Sequence, residues 1–185
     1  MLFSLAEIID VLIMTFGVGF IFMDLFDHRQ FNRPEDYLRI KSGFAWDRLL
    51  FASGVVAPAI ILHELGHKFT ALAFGFQATF QAAYVFLLLG IILKLVRSPF
   101  IFFVPAYVLI SGVGTTTQFG IAAFAGPFIN LVLWGVSWSS FKFLKLKKKT
   151  AYALALSAKI NMFLFIFNML PIPGFDGSKV WGLIF

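Results

Sequence analysis

Apolar residues run along this chain in long, nearly unbroken blocks, and polar residues gather between the blocks instead of alternating with them. Blocks of that kind predict helices surrounded by lipid or by one another, not half-buried surface elements. The first covers 11–26 and ends at Asp24 and Asp27; a polar connection with mixed charges and Pro34 follows at 27–48, read as a loop or a helix on the membrane surface. The second block, 49–74, has no formal charge before Glu64. The third, 81–96, lies at the lower limit of spanning length and closes with Lys94 and Arg97, which suits a span, a re-entrant piece or an interfacial helix. Residues 98–141 contain no Asp, Glu, Lys or Arg, more than one span uses and less than two spans with a loop take. Within them VPAYVLISGVGTTTQFG, 104–120, has the β-branched residues, glycines and threonines of a strand and turn. Such backbone at bilayer depth must have its N–H and C=O groups satisfied by protein or enclosed water, so the segment is expected to line a site. A clean span at 121–141, the basic stretch KFLKLKKKT, and a span at 151–170 interrupted by Lys159 and broken by Pro171 and Pro173 complete the chain.

The expected fold is therefore an all-α integral membrane protein, a polytopic bundle of about four to six membrane segments with a short strand-like or re-entrant region near 104–120. It forms one membrane-embedded domain, 1–185, without internal repeats. Composition agrees: of 185 residues 60% are hydrophobic and 13% charged, which excludes a soluble domain of this size. The 26 Phe read as lipid-facing bulk. The opening MLFSLAEIIDVLIMTFGVGF has no basic leader region and carries Glu7 and Asp10, so it reads as an uncleaved anchor instead of a signal peptide. The net charge of +6 comes from basic residues flanking apolar runs, where phospholipid headgroups are the partners; nothing points to nucleic acid. With no Cys, a transition metal can be held only by His and carboxylates.

One stretch inside the second block contradicts its surroundings. ILHELGHKFTALAFG, 61–75, carries two His, a Glu and a Lys within six residues, although each ionisable group at bilayer depth costs about 2.5–3.5 kcal/mol on insertion scales. On a helix His63 and His67 share a face and can share a metal ion, with Glu64 one residue round, placed to reach a water at the open coordination position. That is the arrangement of a zinc hydrolase, in which zinc acidifies water and a carboxylate takes its proton. Two ligands are too few for catalytic zinc. Apart from Glu64, Asp176 is the only acidic residue after Asp47, so it is the carboxylate candidate; Asp before Gly177 and Ser178 equally suits a helix-capping turn. His28, the remaining His, lies in the polar connection. Asn130 and Asn168 suit helix packing, and Lys159 suits snorkelling or a place lining the bundle interior.

HELGH at 63–67, AGPFIN at 125–130 and NMLPIPGFDG at 168–177 together resemble the three-part signature of the site-two protease family of intramembrane zinc metalloproteases, with Phe175 where the family usually has Leu. The resemblance spans 49–182, the core of the domain, and VPAYVLISGVG matches the membrane-embedded strand region preceding the family's Gly-Pro motif. It implies one Zn2+ per chain held by His63, His67 and Asp176, with Glu64 as catalytic base and Asn130 and Asn168 near the site, orienting substrate or supporting the ligands. It implies hydrolysis of a peptide bond within or near a transmembrane segment of a protein or peptide substrate, in a multi-pass membrane protein of the cell membrane if the source is prokaryotic. The family's orientation puts Lys68, Lys94, Arg97 and Lys179 in the cytosol and the two more basic loops outside, against the positive-inside rule. The chain stops nine residues past Asp176, which reads as a minimal or a truncated member. Two other classes fit the HELGH motif: a membrane metal transporter, which calls for further ligands along a path, and an inactive relative acting as a binding protein, against which the intact His, Glu, His and Asp set argues. Substrate identity, cleavage position and oligomeric state are not written in the sequence.

Overall fold

The computed structural model describes residues 2–25, 44–98 and 104–183; His28, Pro34 and most of the polar connection lie outside them. In chain order come α1 (Leu5–Phe22), α2 (Trp46–Ala73), β1 (Gln77–Ala82), α3 (Tyr84–Leu95), β2 (Ala106–Ser111), α4 (Thr116–Phe143), α5 (Lys148–Asn168) and α6 (Asp176–Trp181). Among the described residues four helices, α1, α2, α4 and α5, are long and apolar enough to cross a membrane, which fits a polytopic, membrane-embedded helical protein. Helix α2 is the central one, with 67% of its most apolar stretch inside the bundle against 28%, 33% and 11% for α1, α4 and α5. It packs against α1, α4, α5 and both strands. The helix that carries HELGH is thus the most enclosed of the four.

The third apolar block is not a span. Its first residues belong to β1, and the remaining 12-residue helix α3 is about 18 Å long, well short of a hydrocarbon core of about 30 Å. The strand β1 was missed, although QATFQA alternates polar and apolar residues and buries Ala78, Phe80 and Ala82 on one face. The strand expected within 104–120 is present but ends at Ser111. The threonines belong to the next element: Thr115 and Gln118 form a reciprocal capping box that starts α4. Helix α1 begins earlier than the apolar block did, at a second capping box between Ser4 and Glu7, so that Glu7 and Asp10 lie inside it.

Those two acids explain how a sheet of only two antiparallel strands is held here. Glu7 Oε1 accepts the backbone N–H of Phe80 at 2.8 Å, and Asp10 Oδ2 accepts that of Ala82 at 3.2 Å. A helix three residues apart and a strand two residues apart have been brought into register, and α1 takes the donors a third strand would take. Glu7 also pairs with Lys68 on α2, and both side chains are buried, 4% and 2% exposed. Lys68 therefore does not belong among the cytosolic charges of the orientation count. Breaking such a pair from one side leaves a buried charge, so Lys68→Met is expected to destabilise the protein by about 3–5 kcal/mol, and Glu7→Gln with Lys68→Met to recover most of that loss. Thermal unfolding of these two variants and of Glu7→Gln alone in one detergent measures it; additive losses would show that the two residues are not coupled.

Candidate metal centre

On α2 the two histidines face α4 and the start of α6, and each ring has its Nδ1 committed. His63 Nδ1 donates to Asn130 Oδ1 at 2.6 Å, and His67 Nδ1 to the Ala122 carbonyl at 2.8 Å. The amide of Asn130 cannot be turned round, because its Nδ2 donates to the Ala59 carbonyl at 3.0 Å and to Asn161 Oδ1 at 2.9 Å. Asn161 in turn donates to the Ser157 carbonyl at 2.8 Å. The chain of bonds fixes the Nδ1–H tautomer of both neutral rings and leaves the lone pairs on Nε2. Asn130 and Asn161 are almost wholly buried.

The two Nε2 atoms lie 3.0 Å apart, and each lies 3.3 Å from Asp176 Oδ2. Three acceptors at such spacing repel one another unless a proton or a metal cation sits among them. Ligands about 2.0–2.1 Å from a tetrahedral zinc are separated by ~3.3 Å, so these three atoms match three corners of such a site and leave the fourth open. His63, His67 and Asp176 form the cluster among the described residues that could hold a metal ion.

The other motif residues make room for this arrangement. A Cβ on Gly126 would lie 2.3 Å from His67 Nε2 and 2.8 Å from His63 Nε2, inside the space the shared ion needs. Pro127 has no N–H for the Ala123 carbonyl, the neighbour of the Ala122 carbonyl that His67 uses. Asp176 starts α6, which folds back on the end of α5: Gly174 takes a positive φ of 96°, and a Cβ on Gly177 would lie 2.4 Å from the Leu170 carbonyl. Trp181 Nε1 ties the turn to the Met169 carbonyl at 2.8 Å.

A cavity of about 400 Å³ opens beside the ligands, lined by His63, Glu64, Lys159 and Asn168 among mostly apolar side chains. Glu64 is buried, and the Val108 backbone N–H faces its carboxylate. Of the residues singled out in the sequence, His63, His67 and Asp176 meet at one point, Glu64 stands next to them, and Asn130 supports His63 directly. Asn168 is brought to the cavity wall, with no bond to a ligand. Phe175, the departure from the family pattern, lines the same cavity and meets the Phe167 ring edge-on with centroids 4.8 Å apart. Sequence reasoning missed Asn161, whose signal is Ser157 and Asn161 one helical turn apart inside an apolar span.

Over 180 residues, 96% of the chain and 84% of the relative, the sequence is 33% identical to a protein of Methanocaldococcus jannaschii named "putative zinc metalloprotease". No family model matches the chain, and no solved structure matches it. Gly126→Ala is expected to keep the helical circular dichroism, since Ala favours helix by about 1 kcal/mol over Gly, yet to lower zinc affinity at least tenfold. Zinc titration of the purified variant measures this; unchanged affinity would place the metal elsewhere.

Proposed function

The chain belongs to the zinc metalloprotease family of this archaeal relative, and on that premise we propose that it is an intramembrane protease of the site-two protease type. It hydrolyses a peptide bond within or near a transmembrane segment of its substrate. The observation that carries this reading is the convergence of Asp176, from α6, with His63 and His67 of a helix long enough to span, beside a buried Glu64 and an apolar cavity. The ligand set fits zinc, one per chain, which when bound polarises the substrate carbonyl and acidifies water. Glu64 takes the proton of the attacking water and delivers it to the leaving amine. Asn130 and, behind it, Asn161 hold His63 in the ligating tautomer while the charge of the site changes. A transporter reading calls for a second ligand cluster, and among the described residues the one found is His63, His67 and Asp176.

A transmembrane helix hides its peptide bonds in its own hydrogen bonds, so it must unwind locally to be cut. The sheet supports a way to hold the unwound stretch. Phe80 and Ala82 give their N–H groups to α1, so their partners across the ladder, Val108 and Ala106, direct their own backbone groups to the outer edge of β2. Ile110, on the same alternation, does likewise. Among the described residues no third strand covers that edge, and Val108 brings it to Glu64. An extended substrate segment adds there as a strand, next to the metal.

Elemental analysis of detergent-purified protein is expected to return about one zinc per chain, with His67→Ala and Asp176→Ala losing it and Glu64→Gln keeping it. Against a model transmembrane peptide, Glu64→Gln is expected to lower cleavage by about 10²–10⁴-fold. Zinc loss without any wild-type cleavage would leave a metal-binding membrane protein and remove the protease. Ile110→Pro, which deletes one edge donor, is expected to lower kcat/KM for the same peptide by about tenfold at unchanged zinc content; an unaltered rate would show that substrate does not add to β2.

A further inference from the structure

We propose that Lys159 is a specificity-determining residue that takes a carboxylate of the substrate inside the cavity, a proposal that rests on the protease reading above. Lys159 stands eleven residues after the start of the 21-residue helix α5 and nine before its end. At 1.5 Å per residue, its Cα is about 16 Å and about 14 Å from the two ends of the helix, farther than a four-carbon stem reaches. A cation there is retained against a large desolvation cost only if it faces the protein interior or a polar space. Its side chain is exposed, not enclosed in the bundle, and it lines the open cavity with His63, Glu64 and Asn168; no other Lys or Arg among the described residues does so.

Nothing within the described chain uses this charge. No hydrogen bond, ion pair or ring contact among the described residues engages Lys159, in contrast to Lys68, held by Glu7, and Lys94, held by Asp24 and the Phe20 carbonyl. The charge balance of the site points the same way. With a divalent ion on two neutral histidines and Asp176, and with Glu64 ionised, the formal charges cancel, and Lys159 leaves the cavity positive. An arriving carboxylate restores neutrality in surroundings where attraction is screened far less than in water. The carboxylate has two sources, an acidic side chain on the unwound stretch or the free C-terminus of a segment trimmed beforehand. Either is costly at bilayer depth unpaired, so pairing with Lys159 selects substrates that other apolar helices would outcompete by number.

The test uses the full chain, zinc-loaded, in phosphatidylcholine vesicles, with model apolar peptides about 20 residues long. One pair carries Glu or Gln at mid-length; a second pair has a free or an amidated C-terminus. Binding is measured on the Glu64→Gln protein, and cleavage on the wild type. The Glu peptide, the free-carboxyl peptide, or both are expected to bind about tenfold more tightly than their neutral counterparts, and which pair discriminates names the source. Adding Lys159→Met is expected to bring that ratio close to one, and Lys159→Arg to retain most of it. Equal binding within both pairs, or a preference that Lys159→Met leaves intact, would overturn the proposal. Lys159-dependent binding without cleavage of any peptide would keep the carboxylate site and remove the protease; Glu64-dependent cleavage without discrimination would do the reverse.

Discussion

Three hydrogen-bond acceptors crowded together in an apolar interior are the constraint on which this structure depends. His63 Nε2, His67 Nε2 and Asp176 Oδ2, within 3.0–3.3 Å of one another, have no reason to meet unless a cation joins them. Each of the three sequence motifs then has a separate physical task. The first puts two imidazoles one turn apart on the most enclosed helix. The second removes a side chain at Gly126, opens a helical turn at Pro127 and supplies an amide at Asn130. The third ends a long helix before two prolines so that a carboxylate can return to the two histidines on a fresh helix end.

Inside a membrane every polar group brought in for such a site has to be satisfied in turn, and the bundle shows how far that obligation travels. It runs from His63 through Asn130 and Asn161 to Ser157, which meets Ser137 at 3.1 Å, so the orientation of the His63 ring is anchored on α5 as well as on α4. The same obligation produces Glu7. A strand at this depth exposes unpaired N–H groups, and α1 answers with two carboxylates spaced to meet every second residue of β1. A carboxylate buried there needs a cation, and Lys68, next to the second histidine, provides it. Helix α1, the sheet and the ligand-bearing helix are thereby fixed to one another at a single buried pair.

The helices and the ligands were legible in the sequence because both signals are short-range. Long apolar blocks have no reading in water, and the four-residue interval of His63 and His67 has meaning only on a helix. The third ligand was open on spacing alone, since 109 residues separate Asp176 from His67 and its local sequence is ordinary turn chemistry. What was misread involved short elements whose stability is tertiary. Residues 77–82 form a strand because α1 and β2 complete their hydrogen bonds, and the hydropathy of 81–96 masks the break at Ala83. The threonines at 115–117 were read as part of a strand and turn because their content was weighed before their order: Thr115 and Gln118, three apart, already spell a helix start.

The same hydrogen-bond accounting gives the site its direction. A two-stranded sheet has two outer edges, and both are equally capable of recruiting an extended chain. Here the β1 edge is occupied by Glu7 and Asp10, while the β2 edge faces Glu64. Capping one edge with side chains instead of a strand leaves the sheet narrow, so that its open edge can sit beside the metal ligands without a third strand intervening. The acids of α1 are neither in the His63, His67 and Asp176 cluster nor in the cavity lining, yet they decide which backbone groups of β2 point towards the site, since their hold on Phe80 and Ala82 sets the alternation that Ala106, Val108 and Ile110 must follow. The register of the sheet, fixed from outside by a helix, is thus part of the geometry around His63, Glu64 and His67.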